Sequence, residues 1–156
     1  IMGLGYPGGP IIEKIAKEAT ATIKLPRPMS ARKDAMMSFS GLKTATRLAY
    51  EKHENTPQRD ANIAHSLQQA IADTLVNKLT IAIRETNADH LVVSGGVSAN
   101  QYIRDKLQRL PVSSIVFPAL QYCTDNAAMV AYLGYLRRNQ SKPDTLAQAR
   151  WRINEI

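Results

Sequence analysis

The residues best placed by type and spacing to do chemistry form a glycine turn at residues 94–100, Ser-Gly-Gly-Val-Ser-Ala-Asn. The turn follows an apolar run at residues 91–93, which is typical of a strand covered on both faces. Gly95 and Gly96 permit positive φ and a close approach to the backbone, and Ser98 is expected to cap the next helix. Free N–H groups and the dipole at such a helix start favour an anion or a nucleotide. A tight strand-to-helix turn without a ligand fits the same residues.

A carboxylate and a thiol lie close together before a second predicted helix. Asp125 either caps that helix or holds a cation at a phosphate site. Cys123 has no base beside it in the sequence, which favours an inert buried thiol over a nucleophile. His53, His65 and His90 are not four residues apart, and no Cys or His cluster has the spacing of metal ligands. The sequence by itself therefore predicts no complete metal site.

A second glycine-rich segment, residues 3–10, contains four glycines and two prolines. This composition predicts a loop, with Pro10 in the first turn of a helix. Gly8 and Gly9 leave room for a ligand beside the backbone, and simple helix entry is the alternative. Lys43 lies in the first turn of another helix, where the dipole disfavours a cation. Contact with an anion or a carboxylate is one interpretation of Lys43, and an exposed lysine is the other.

The elements that must position these residues are mixed strands and helices, followed by a β-α-β-α order. Strands are expected at residues 22–25, 36–39, 90–94, 114–117 and, at a sheet edge, 149–153. Helices are expected at residues 10–19, 40–50, 57–86, 99–110 and 125–138, with Ser40 and Thr56 as N-caps. The β-α-β order predicts adjacent parallel strands with the glycine turn at their carboxyl edge, which indicates an α/β layered domain.

Length and charge bound the class of protein. A chain of 156 residues suits one domain or one half of a bilobal protein. The net charge of +7 indicates a polyanionic partner, RNA or DNA first, although a soluble surface that happens to be basic is the alternative. A single cysteine excludes an internal disulfide and fits a cytoplasmic location, and no segment has the apolar length of a membrane span. An RNA-facing patch or a solvated loop is expected at Lys24, Arg27, Arg32 and Lys33.

Four motifs resemble, in order and over nearly the whole chain, the C-terminal half of the universal tRNA threonylcarbamoyladenosine synthase family, whose bacterial form is TsaD. This family was formerly labelled O-sialoglycoprotein endopeptidase. The motifs are residues 3–10, 38–44, 94–100 and 123–129, followed by Arg150-Trp151. The resemblance implies an actin-like ATPase (ribonuclease H-like) fold with a mixed sheet flanked by helices, of which residues 1–156 form a single second lobe. It also implies transfer of threonylcarbamoyl from threonylcarbamoyl-AMP to N6 of the adenosine next to the anticodon in tRNA.

Site residues and partners are implied by the same resemblance. The family's metal aspartate matches Asp125, which would hold a divalent iron or zinc ion. Its adenylate-contacting residues match Gly9 and Asn100, while Gly95 and Gly96 match its turn around the adenine nucleotide, threonylcarbamoyl-AMP or ATP. The implied partners are tRNA and the proteins TsaB and TsaE, in the cytoplasm and without a membrane. Since ligands gather at strand carboxyl ends, Gly9, Asn100 and Asp125 are expected to line one concave edge.

The chain departs from the family pattern because the H-x-x-x-H motif of the first lobe, which holds two metal histidines, is absent. We therefore expect half of an interlobe site, and a segment that is inactive and without high-affinity metal when isolated. A non-catalytic actin-like partner subunit is one alternative, although it would not need both Asp125 and Asn100. A metal-dependent glycoprotease is another, but no H-E-x-x-H sequence occurs. A sugar or acid kinase on the same fold is the last.

Overall fold

The computed structural model describes residues 2–140 of the chain, which form helices and one small parallel sheet, an α/β arrangement. The elements are α1 (Gly8–Ala16), α2 (Ser40–Lys52), α3 (Pro57–Thr86), β1 (His90–Val92), α4 (Gln101–Leu107), β2 (Ser114–Val116) and α5 (Ala127–Leu136), with 3-10 turns at Gly96–Ala99 and Leu120–Tyr122. The chain divides into two compact units, Ile1–Thr124 and Asp125–Ile156. None of the helices within residues 2–140 combines the length and apolarity needed to cross a membrane.

Helix α3 is the element against which α1, α2 and α4 pack. It begins as predicted, because the Thr56 hydroxyl accepts a hydrogen bond from the Arg59 N–H at 3.1 Å and a proline occupies the next position. It ends at Asn87, which has a positive φ of 52°. Its apolar face lies in the core, as expected, with Ile63 fully buried. Burial of this stripe stabilises the first unit by removing apolar surface from water.

Strands β1 and β2 pair in parallel, with Leu91 opposite Ile115, and the glycine turn follows β1 at the carboxyl edge. This confirms the predicted strand pair. The expectation of a strand covered on both faces is wrong, because Val92 is 72% exposed and Val116 is 53% exposed. Leu91 and Ile115 pack on the cluster formed with α3 and α4, whereas the alternate residues point to the other face of the pleat.

Two predicted strands do not form within residues 2–140. At residues 22–25, the Ile23 N–H donates to the Ser66 hydroxyl of α3 at 2.7 Å, so this backbone is paired with a helix side chain. Residues 36–39 also lack a partner strand in the described part of the chain. The predicted edge strand at 149–153 lies outside the described residues.

Helix starts differ from the predictions by one or two residues, and at α4 and α5 a neighbouring asparagine side chain forms the cap. Helix α2 starts at Ser40, with Phe39 at the cap, so Ser40 is not the N-cap. Helix α4 is capped by Asn100 rather than Ser98, whose hydroxyl donates instead to the Gly95 carbonyl at 2.7 Å. Helix α5 is capped by Asn126.

The glycine-rich segment at residues 3–10 is a loop only in its first part. Gly3 and Gly5 have positive φ values of 65° and 84°, as the unusual backbone of a loop requires. Helix α1 starts at Gly8, so the prediction that the loop extends to Pro10 is wrong, although Pro10 does lie in the first helical turn. Pro10 is tolerated there because the first N–H groups of a helix need no intrahelical partner.

Candidate functional site

A cavity of about 230 Å³ lies between α1, α3 and the turn that leads into α4. It brings together three of the predicted site residues, Gly9 from α1 and Gly96 and Asn100 from the glycine turn. The other lining residues are Pro10, Ile12, Glu13, Leu67, Gln68, Ile71, Val97, Ala99 and Ile103. Most of these side chains are apolar, and the few polar groups among them are those that could orient a bound molecule.

The glycines of this site have different tasks. Gly95 has φ 91° and ψ 167°, a region that is essentially restricted to glycine, and its carbonyl accepts the Ser98 N–H at 2.9 Å. A Cβ atom added to Gly9 or to Gly96 would meet no atom of the protein within 4 Å. Gly95 therefore shapes the turn, whereas Gly9 and Gly96 keep space open beside the cavity.

Asn100 is tied to two elements by one amide group. Its Oδ1 accepts the Ile103 N–H at 3.0 Å, which caps α4. Its Nδ2 donates to Oε1 of Gln68 on α3 at 2.7 Å. An asparagine amide offers two N–H groups and two lone pairs, so one of each is left for a molecule in the cavity.

Glu13 connects α1 to the same place, because its Oε1 accepts the Gln101 N–H at 2.8 Å. We predicted that free N–H groups at this helix start hold an anion. This is wrong for the Gln101 and Ile103 N–H groups, because both donate to side chains of the protein. Glu13 takes the Gln101 N–H, and Asn100 takes the Ile103 N–H. A carboxylate at this position repels a further anion, so this end of the cavity favours an uncharged group.

Glu13 and Gln68 are site residues that the sequence analysis missed. Glu13 follows Gly9 by four residues, a spacing that places both on one face of α1, so a signal for it existed. Gln68 lies inside the polar-apolar pattern of a long helix, and nothing in its spacing distinguishes it from its neighbours. Its contact with Asn100 depends on the packing of α3 against α4.

Asp125 belongs to the second compact unit and is exposed. The interpretation of Asp125 as a helix cap is wrong, because the Asn126 side chain accepts the Met129 N–H at 3.0 Å. Its carboxylate is thus not used for capping α5. Within residues 2–140, no group of three or more His, Cys, Asp or Glu side chains is arranged to hold a metal ion. The predicted metal role of Asp125, and its predicted position on one edge with Gly9 and Asn100, stay predictions.

Cys123 is a buried thiol, as predicted, with 2% of its surface exposed. Its Sγ lies 3.1 Å from Nη2 of Arg104 and 3.8 Å from the carbonyl oxygen of Pro118. Arg104 also donates to the carbonyls of Ser98 and Pro118, so this guanidinium joins the glycine turn to the segment after β2. The surroundings of the thiol are those of a structural contact in the first unit.

The predicted basic patch is partly neutralised within the protein. Nη2 of Arg27 lies 2.6 Å from Oδ2 of Asp73 on α3. Arg32 pairs with Asp34, and the hydrogen bond from this guanidinium holds the pKa of the Asp34 carboxyl below its usual range. Both arginines of this group therefore have a carboxylate partner within the protein, and an RNA contact of the group stays a prediction. The two lysines of this group, Lys24 and Lys33, are exposed.

Lys43 lies in the first turn of α2, as predicted, and is exposed. It borders a separate apolar cavity of about 420 Å³, together with Phe39, Leu42, Thr46, Leu67, Ile71, Leu75 and Val97. Three of these residues, Leu67, Ile71 and Val97, also line the cavity at Asn100, so the two cavities are neighbours. The contact of Lys43 with an anion stays a prediction.

A glycine turn that follows a parallel strand and borders a cavity is an arrangement found in ligand-binding α/β proteins. The family model described as TsaD, tRNA N6-adenosine threonylcarbamoyltransferase, matches residues 1–132, and the chain therefore belongs to the TsaD family. This confirms the resemblance seen in the motifs.

Two curated relatives show the extent of this similarity. The chain is 40% identical over 162 residues to the tRNA N6-adenosine threonylcarbamoyltransferase of Nitrosospira multiformis, covering 99% of this chain and 47% of the relative. It is also 40% identical over 159 residues to the protein of the same name from Legionella pneumophila, covering 97% of this chain and 48% of the relative. The chain spans about half the length of the curated relatives it matches.

Proposed function

We propose that this chain forms the adenylate-binding part of a tRNA N6-adenosine threonylcarbamoyltransferase. The observation that carries the proposal is the cavity at which Gly9, Gly96 and Asn100 meet. The names of the relatives support transfer of threonylcarbamoyl to N6 of an adenosine in tRNA. We propose threonylcarbamoyl-AMP as the donor and the adenosine next to the anticodon as the acceptor, as the resemblance to the family implies. We propose ATP as the second adenine nucleotide for the same cavity.

The lining of the cavity suits the adenosine portion of such a donor. A purine has apolar faces and polar edges, and the cavity offers apolar side chains such as Ile12, Ile71 and Ile103 beside the free hydrogen-bonding positions of Asn100. The second oxygen of the Glu13 carboxylate can accept from a ribose hydroxyl. Because Glu13 is negative, the phosphate is expected away from the start of α4, on the open side bordered by Gly9.

A divalent iron or zinc ion is part of the proposal, and Asp125 has the right chemistry to be one of its ligands. The carboxylate is exposed and is not the cap of α5, and carboxylate oxygen is a donor that both metals accept. One carboxylate cannot form the site alone, so the other ligands must come from outside the described residues. When bound, the ion supplies Lewis-acid polarisation of the threonylcarbamoyl group.

The transfer step sets the tasks for the residues of this chain. The N6 amine attacks the carbamoyl carbon, a C–N bond forms, the C–O bond to the phosphate of AMP breaks, and N6 loses a proton. Asn100 and the glycine turn hold the adenosine of the leaving group in place, which reduces the entropy cost of reaching the reactive geometry. No side chain of this chain is assigned the proton transfer.

The remaining parts of the proposal concern the whole protein. We propose an actin-like, ribonuclease H-like architecture in which residues 1–156 form the second lobe, together with tRNA as the acceptor and TsaB and TsaE as protein partners in the cytoplasm. The net charge of +7 supports contacts to an RNA backbone. The names of the relatives favour the transferase over a non-catalytic subunit, a glycoprotease or a kinase.

The test uses the full-length protein that contains this segment, with threonylcarbamoyl-AMP and tRNA as substrates. In Gly9→Leu the new side chain fills the cavity, and its Cβ meets no protein atom within 4 Å. We expect this variant to weaken ATP binding at least about tenfold. Its unfolding temperature should stay unchanged. Gly134→Leu is the matched control, because Gly134 is also a helical glycine with open space. Normal binding and transfer by Gly9→Leu would contradict the proposal, as would a wild-type protein that modifies no tRNA.

A further inference from the structure

Gln68 lies on α3 at the boundary between two cavities. It lines the cavity at Gly9 and Asn100 and also a neighbouring cavity of about 360 Å³ that contains His65 and Tyr102. Only 6% of its surface is exposed. Burying a primary amide costs free energy unless hydrogen bonds replace the lost water, so the partner of Gln68 indicates what the side chain does.

The contact between Gln68 and Asn100 has a defined direction. The Ile103 N–H can only donate, so the Asn100 atom that faces it at 3.0 Å must be Oδ1. The other end of the Asn100 amide is then Nδ2, which can only donate. The atom of Gln68 at 2.7 Å from it must accept and is Oε1. The backbone of α4 thus fixes the orientation of both amides without any assumption about a ligand.

We propose that Gln68 is a positioning residue for Asn100 in nucleotide binding. This inference rests on the proposed function, in which Asn100 contacts the adenine nucleotide. The cap bond alone restrains one atom, Oδ1, and concerted rotation about the Cα–Cβ and Cβ–Cγ bonds can still tilt the amide plane around it. The second bond to Gln68 fixes the amide plane, and with it the direction of the remaining N–H group and lone pair. A ligand then binds without losing free energy to ordering this side chain.

Three variants of the full-length protein test this role by calorimetric titration with ATP. Gln68→Leu removes the acceptor and is expected to raise the Kd for ATP about fivefold to tenfold, the effect of losing one ordered hydrogen bond. Gln68→Glu keeps an acceptor oxygen toward Nδ2 and is expected to restore most of the affinity. Gln69→Leu is the matched control, since Gln69 is the adjacent glutamine on α3 and lies outside the lining of both cavities.

Steady-state kinetics and a double-mutant cycle separate positioning from a merely structural role. Gln68→Leu should raise the KM for threonylcarbamoyl-AMP and leave kcat unchanged, because it loosens binding without touching the reacting atoms. In an Asn100→Ala background, Gln68→Leu should cause no further loss of ATP affinity, since nothing remains to be positioned. If Gln68→Leu does not fold, Gln68→Met replaces it with an unbranched side chain of similar length.

The outcomes distinguish this inference from the proposed function. A wild-type protein that binds ATP, with Gln68→Leu binding equally well, overturns the positioning role and leaves the proposed function intact. Additive losses in the double mutant overturn it too, because they mean that Gln68 acts independently of Asn100. A wild-type protein that binds no adenine nucleotide contradicts both.

Discussion

Nδ2 of Asn100 donates a 2.7 Å hydrogen bond to Oε1 of Gln68, 32 residues earlier in the chain. The other end of the same amide caps α4 through the Ile103 N–H. One side chain therefore starts a helix, joins that helix to α3 and faces the cavity. These tasks use different atoms, and substitutions can separate them.

Asn100→Ala and Asn100→Asp are expected to differ in stability but not in nucleotide binding. Alanine removes the cap and should lower the free energy of unfolding by about 1 to 2 kcal/mol. Aspartate caps as well as asparagine, and the Gln68 amide can turn to donate to it, so this variant should unfold near the wild-type midpoint. Both lack the Nδ2 donor and should bind ATP weakly.

Urea unfolding and ATP titration of the two variants check this prediction. Gln101→Ala serves as a control, since it retains the Asn100 amide and the backbone N–H that donates to Glu13. An aspartate variant with normal ATP affinity would mean that the Asn100 N–H does not contact the nucleotide.

The two glycines of the turn should respond in opposite ways to alanine. Gly95→Ala forces a Cβ into a backbone region with φ 91° and ψ 167°, at a cost of about 1 to 3 kcal/mol. Gly96→Ala places a methyl group where it meets no protein atom within 4 Å. It should leave the unfolding free energy nearly unchanged and reduce ATP affinity, because the methyl group borders the cavity.

Thermal unfolding and ATP titration of both glycine variants provide the measurement. Equal destabilisation by the two substitutions would show that the backbone of Gly95 is not the feature that requires glycine. Full ATP affinity of Gly96→Ala would place the ligand elsewhere.

The parts of the fold that the sequence predicts correctly are those with local signals. Thr56 followed by proline defines the start of α3, and the apolar spacing along that helix defines its buried face. The order of β1, α4 and β2 is also enough to predict parallel pairing. In these cases, the residues that decide the structure are close together in the chain.

The errors arise where distant contacts choose between local alternatives. Ser98 and Asn100 are both acceptable caps, and the bond to Gln68 on α3 accompanies the choice of Asn100. The segment at residues 22–25 has strand propensity, but the hydroxyl of Ser66, 43 residues away, takes the Ile23 N–H. Such partners are set by packing, which a single sequence does not reveal.

The candidate site could be predicted only in part, because some of its contacts join residues that are far apart in the chain. The glycines and Asn100 belong to motifs that a family resemblance can identify, and the structure brings Gly9, Gly96 and Asn100 to one cavity. Gln68 and the contact of Glu13 with the α4 backbone depend on the packing of separate helices. The ion pair of Arg27 with Asp73, 46 residues apart, could not be predicted from the sequence for the same reason.

Lowering the pH should weaken the hydrogen bonds between Asp89, directly before β1, and Ser113, directly before β2. Hydrogen bonds from the Ser113 hydroxyl and then from the Ser113 N–H hold the pKa of the Asp89 carboxyl below its usual range. A carboxyl group whose pKa is lower in the folded state adds stability at pH values above its unfolded-state pKa of about 3.9. This stability is lost as the pH falls through the folded-state pKa. The difference in unfolding free energy between wild type and Asp89→Asn should therefore be largest near neutral pH and shrink below about pH 4.

Urea unfolding from pH 7 to pH 2.5 measures this dependence, with the substitution Glu85→Gln on the exposed end of α3 as control. A difference between wild type and Asp89→Asn that is constant over the whole range contradicts the role of the Asp89 charge.

The sharpest test of the metal role is Asp125→Asn in the full-length protein. Because Asn126 caps α5, this substitution leaves the cap in place and should not change the unfolding temperature. Loss of a carboxylate ligand should lower iron or zinc content and threonylcarbamoyl transfer by more than the roughly tenfold to hundredfold effect of residues that only support a ligand. Bound metal, measured by mass spectrometry, and transfer to tRNA should fall together.

The adjacent position supplies the matched control for this experiment. Asn126→Ala removes the cap of α5 and should cost about 1 kcal/mol of stability while metal content is retained. Asn126→Asp should restore the stability, since aspartate caps about as well as asparagine. Substitution of Asp125 should therefore change metal content and transfer, whereas substitution of Asn126 should change stability. An Asp125→Asn protein with normal metal content and normal transfer would show that this carboxylate is not a ligand.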